Sequence, residues 1–100
     1  MNQLLLLLAL STTQTVALPP EVAAFVAERD VCEHFRGEPI EGDSPEQMAR
    51  RTFVQESFEI YCAGTDRRLA ALKKRYAGNA AVMSALGDYE QVVEGPGCGP

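Results

Sequence analysis

Residues 30–39 read DVCEHFRGEP and place a cysteine, the single histidine and an arginine close together. Taken as a reactive centre, the stretch needs Cys32 and His34 to meet. Two residues apart on a helix, they point about 200° from each other and share neither a proton nor a metal. Taken as the end of a helix, every residue has a use. Cys32 falls on an apolar stripe with Val22, Phe25 and Phe35, widened by Val26. His34 and Arg36 then sit in the last turn, where positive charge suits the negative end of the helix dipole. Gly37 stands just beyond as a stop. This reading makes the first element a helix and Cys32 a structural half-cystine.

The rest of the chain extends the helical pattern. Pro19-Pro20 suits the first turn of that helix, where a missing N–H is harmless. Ser44-Pro45-Glu46-Gln47 predicts a second start, with a serine cap, proline next and glutamine as the return arm of a capping box. That helix is expected to run to Cys62, burying Val54, Phe58, Tyr61 and Cys62 with Phe53 and Ile60 on one flank, and pairing Glu46 with Arg50. Ala63-Gly64 ends it. Thr65 is expected to cap a third helix with Leu69, Leu72 and Tyr76 inward and Lys73, Lys74 and Arg75 in its last turn. After Gly78-Asn79, the spacing of Val82, Leu86, Tyr89 and Val93 predicts a fourth, weakened at Gly87. The expected fold class is all-α, a small bundle of about four short helices.

The ends define the compartment. The chain opens MNQLLLLLALSTTQTVALPPEV. Leu4 to Leu10 is too short to span about 30 Å of hydrocarbon, and a small-residue exit follows, as in a secretory signal peptide. Residues 1–17 are therefore expected to be the leader, cut after Ala17. "MNQ" departs from the usual leader in carrying no lysine or arginine. The remainder divides into a helical domain, 18–94, and a flexible Gly/Pro tail, 95–100. A periplasmic or secreted protein with no stable membrane anchor after processing is expected. Export brings an oxidising environment, in which cysteines are first read as bridges. Cys32 and Cys62 lie in periodic segments and Cys98 in the tail, so a Cys32–Cys62 disulfide is the economical pairing.

The formal charge is −5 and unevenly spread. Residues 18–59 hold ten acids against Arg29, Arg36, Arg50 and Arg51, whereas residues 60–100 hold four acids against five bases. Net acidity and export argue against nucleic acid as a partner. One histidine and three cysteines without C-x-x-C give neither a zinc set nor a haem attachment, so no metal or cofactor is expected. Glu56 and Glu59, one turn apart, have no base or metal beside them and read as solvated helix charge. No catalytic residue is assigned, and the protein is not expected to be an enzyme. The candidate surface-binding residues are Glu33, His34, Arg36 and Glu38 around the first helix end, and Arg67, Arg68 and Lys74 on the third helix. With Lys73 and Arg75 the latter group could form an anion-binding stripe; the preferred reading is either a plain exposed face of the third helix or a complement to the acidic first half of the chain.

CEHFRGE (32–38) and CAGTDRRLAALKKRY (62–76) together resemble a set of small exported proteins of the Gram-negative envelope, with the likeness running from about Phe25 to Tyr89. The resemblance implies an envelope location and carries no catalytic residue with it. YCAGTDRRLAALKKRY (61–76) alone is similar to small secreted lysozyme-inhibitor-like domains. Two functional readings follow. The first is a monomeric exported binding or structural module with an unknown protein partner. The second is a proteinaceous inhibitor of an envelope-active enzyme such as lysozyme, with an acidic surface around Glu33, Glu38, Glu41 and Asp43 facing a basic target.

Overall fold

The computed structural model describes residues 17–95. The expected leader up to Val16, and the tail from Pro96 with Cys98, lie outside the described residues. The architecture is all-helical: α1 (Pro20–Arg36), α2 (Pro45–Cys62), α3 (Thr65–Arg75) and α4 (Ala80–Leu86), with no strand among the described residues.

Local chemistry starts each helix as the sequence implies, with one exception. In α2 the Ser44 hydroxyl accepts from the Gln47 amide at 3.1 Å, and the Gln47 side chain accepts from the Ser44 amide at 3.0 Å. That returning side chain is why position 42 is glycine. Gly42 has φ +103°, and a Cβ there would stand 2.1 Å from the Gln47 side chain. Arg51 fastens the preceding loop by donating to the carbonyls of Ile40 and Gly42 at 2.9 and 2.6 Å. The expected Glu46–Arg50 pair gives way to a tertiary one, since Arg50 reaches Glu38 at 3.1 Å. In α4 the Asn79 side chain accepts from Val82 at 3.1 Å.

The exception is α3. Thr65 is its first residue rather than its cap, and its hydroxyl donates to the Cys62 carbonyl at 2.9 Å. Gly64 holds the cap position at φ +77°, a left-handed conformation that glycine adopts without penalty. Having no side chain, it caps nothing, and the open amides are served from another part of the chain.

The C-terminal half of α1 and the residues just after it lie antiparallel to α2 from Arg50 to Cys62. Cys32 is bonded to Cys62 with Cα atoms 4.8 Å apart, Phe35 lies against Phe53 and Tyr61, and Glu38 lies against Arg50. The bridge joins residues 30 apart in sequence. Closing a loop of that length contributes about 3.5 kcal/mol on the chain-entropy account. The first half of α1 packs on α3 and α4 through Val22, Phe25, Leu69, Leu72, Val82 and Leu86. Cys32, Phe58, Cys62 and Val93 form a second apolar cluster around the bridge.

Val93 reaches that second cluster because α4 stops early. The expected helix through Tyr89 and Val93 ends at Leu86, with Gly87 as its C-cap. Continuing it would carry Val93 away along a straight axis. Instead the segment from Gly87 to Gly95 folds back, and the Asp66 carboxylate accepts the Val93 and Glu94 amides at 3.0 Å. Those amides thereby find a partner that helix continuation would otherwise have provided.

Candidate functional site

DVCEHFRGEP is built into the scaffold. Cys32 is consumed by the bridge. Glu33 and Arg36 belong to an ionic network around a residue that the sequence reading passed over. Arg29 is fully buried, with a relative exposure of 0%. It donates to Glu33 at 2.8 Å and to the Glu90 carbonyl, lies 3.9 Å from Asp66, and sits over the Tyr89 ring at 5.5 Å. Arg36 grips the Glu90 carboxylate through both terminal nitrogens at 2.7 and 3.2 Å and touches Glu33 at 3.2 Å. That grip holds the Glu90 carboxyl below its ordinary value and the Arg36 guanidinium above its own. The Tyr89 hydroxyl donates to Asp30 at 2.6 Å, and burial, reinforced by that bond, pushes its ionisation up. These contacts bind the returning C-terminal segment to α1. Arg29 was legible in principle, because it continues the 22–25–29–32 stripe.

His34 and Glu38 sit on the rim of the same region. They face each other at 3.1 Å, with His34 largely exposed and its ring edge-on to Phe35. Of the basic candidates, Arg68 is engaged with Glu28 through both terminal nitrogens at 2.7 and 3.3 Å and covers the Phe25 ring, which holds the Glu28 carboxyl below its usual range. Arg75 pairs with Glu21 at 2.8 Å, and the Tyr76 hydroxyl donates to the same carboxylate. These pairs match the reading of the third-helix bases as a complement to the acidic first half. Arg67 and Lys74 remain exposed. Arg67 and Lys73 border a shallow groove of about 510 Å³ between α3 and the returning segment, with Leu69, Ala70 and Val92 as its apolar part. The structure thus brings Glu33 and Arg36 together, and His34 and Glu38 together, but not the two candidate groups with each other.

The feature that lacks an internal use is on α2. Tyr61, expected inside, is 42% exposed, while Phe53 is 55% and Ile60 70% exposed. Phe35 from α1 supports this face, stacking on Tyr61 with ring centroids 5.9 Å apart and meeting Phe53 edge-on at 5.7 Å. Phe53 and Ile60 are seven residues apart, so they lie one above the other, with Glu56 between them on the same face. As the spacing implies, Val54, Phe58 and Cys62 form the buried face, turned about 150° from the Phe53–Ile60 edge, with Tyr61 between the two. Contiguous exposed apolar side chains of this size mark contact surfaces more often than single exposed residues do.

The chain matches no protein-family model, no curated protein and no solved structure. Among the described residues, no group of three His, Cys, Asp or Glu side chains is placed to hold a metal ion. None of the described helices is long and apolar enough to cross a membrane.

Proposed function

We propose that the protein is a small exported binding module of the bacterial envelope, and that it engages a protein partner through the face formed by Phe53, Ile60 and Tyr61 over Phe35. The observation carrying this reading is the exposure of that aromatic face on a frame held by the Cys32–Cys62 bridge. A rigid, half-exposed aromatic surface forms contacts with little loss of side-chain freedom, which suits recognition. Export is supported by the leader-like opening and by the disulfide, which persists in oxidising compartments. The module is read as a monomer without enzymatic activity, because the motif richest in chemistry-bearing residues is used to hold the helices and the returning segment together.

The test compares wild type with a Phe53→Ser/Ile60→Ser double variant. Both positions are exposed, so thermal unfolding should shift little. Immobilised oxidised wild-type protein should retain a defined protein from envelope extract, and the double variant should not. Equal retention by both proteins, or retention by neither, would remove the proposed face.

A further inference from the structure

We infer that the occupant of this face is a basic, amphipathic helical segment of another protein. The inference rests on the binding reading above and specifies its partner. It follows from which charges on α2 have internal uses. The two arginines of α2 are engaged, Arg50 with Glu38 and Arg51 with the carbonyls of Ile40 and Gly42. Five acids on α2 and in the loop just before it are not. Glu41, Asp43, Glu46, Glu56 and Glu59 are all exposed, and none forms an ion pair among the described residues. Glu56 and Glu59 lie along the helix edge beside Phe53 and Ile60, on the side away from Tyr61, so the apolar face is bordered by unpaired negative charge.

That combination selects among occupants. A second copy docking through the same face would bring Glu56 and Glu59 against their own counterparts, and like charges opposed across an interface disfavour it. An anionic lipid surface is repelled by the same acids. A helix bearing apolar anchors at i, i+3/i+4 and i+7, flanked by lysine or arginine, meets both requirements: its anchors cover Phe53, Ile60 and Tyr61, and its charges meet the acids at the rim. The same surface fits the inhibitor reading in a revised form. Glu33 and Glu38 are tied up internally, so the acidic surface offered to a basic target moves to α2 and the loop before it.

The test uses two synthetic helical peptides with identical leucine positions, one with lysine and one with glutamate at the flanking positions. Binding to the oxidised protein is read by fluorescence anisotropy. The lysine peptide should bind about tenfold more tightly than the glutamate peptide, the effect of two or three partly exposed ion pairs. Added salt should shrink the preference. Glu56→Lys with Glu59→Lys should reverse it, and Phe53→Ser with Ile60→Ser should abolish binding of both peptides. If both bind equally and the serine variant loses both, the face binds but its charge preference is absent, and this inference fails alone. If neither binds, the inference and the binding reading fail together. Self-association in sedimentation that the serine variant loses, or retention on phosphatidylglycerol vesicles through this face, would assign another occupant and overturn it.

Discussion

Arg29 shows how a single residue can hold two apolar clusters in register. It stands on α1 between Phe25 of the first cluster and Cys32 of the second, where an apolar side chain would be expected. Its guanidinium hydrogen-bonds in two directions, to Glu33 and to the Glu90 carbonyl, while its third nitrogen, without a hydrogen bond, lies 3.9 Å from the Asp66 carboxylate and the group sits over the Tyr89 ring. Lysine offers a point charge on a flexible stem and cannot reproduce that planar arrangement. Arg29→Ala is expected to destabilise the oxidised protein by about 3 kcal/mol, since truncation removes both buried volume and the ionic contacts. Arg29→Lys should recover less than half of that loss. Urea unfolding measures both, and an Arg29→Ala loss under about 1 kcal/mol would show that burial of this arginine does not hold the clusters together.

At the scale of elements, α3 is started by a segment that lies far from it in sequence. The Glu94 carboxylate accepts the Gly64 and Asp66 amides at 2.9 and 2.8 Å, while the Asp66 carboxylate accepts the Val93 and Glu94 amides. This is the reciprocal logic of a capping box, with its two halves 28 residues apart. Each carboxylate also lies near the positive end of the helix dipole. Glu94→Ala and Asp66→Ala are each expected to cost about 1–2 kcal/mol, as loss of a helix cap does. Because each change also frees the partner's contacts, the double variant should cost clearly less than the sum. Additive losses in the cycle, with unchanged hydrogen exchange at the Val93 amide, would mean that the two halves act independently.

For the whole molecule, cross-helix charge pairing sets how stability changes with pH. Hydrogen bonding to Arg68 and to Arg36 lowers the Glu28 and Glu90 carboxyls respectively from the ordinary 4.5. A depressed folded value means a contribution present above the unfolded value and lost as pH falls through the folded one. Stability should therefore decline below about pH 4.5, with both carboxyls titrating lower by NMR than in the unfolded chain. Both are substantially exposed, so salt should weaken the effect. Tyr89 acts at the opposite limit. Burial first, and its bond to Asp30 second, raise its ionisation from the ordinary 10.0, so its contribution is full below pH 10 and fades above it. Tyr89→Phe should remove the latest-titrating phenol from the absorbance profile at alkaline pH. A profile in which Tyr89 ionises with the unfolded-chain value would contradict its half-buried placement against Asp30.

Much of the helical content is local chemistry and was therefore legible in the chain. The Ser44–Gln47 box, Pro20 and Pro45 in first turns, the Asn79 cap and the apolar stripes of α1 and α3 depend on residues within one or two turns of each other. The Cys32–Cys62 pairing followed from the same stripes, since both cysteines lie on buried faces. Other features depended on groups brought together only by folding. Thr65 followed by Asp66 has the local pattern of a helix cap, whereas the open amides at the start of α3 are held by Glu94. The spacing of Val93 from Leu86 and Tyr89 is helical, whereas Asp66 captures its amide after Gly87 stops α4. Periodicity puts Val54, Phe58 and Cys62 inside and Phe53 and Ile60 on a flank, as observed, but it also puts Tyr61 inside, whereas Tyr61 stacks on Phe35 and is exposed. A linear pattern reports which side chains share a face of a helix. Which face is covered depends on long-range contacts: the Phe53–Ile60 flank is legible in the spacing, whereas the exposure of Tyr61 and its support by Phe35 follow from the packing of α1 on α2.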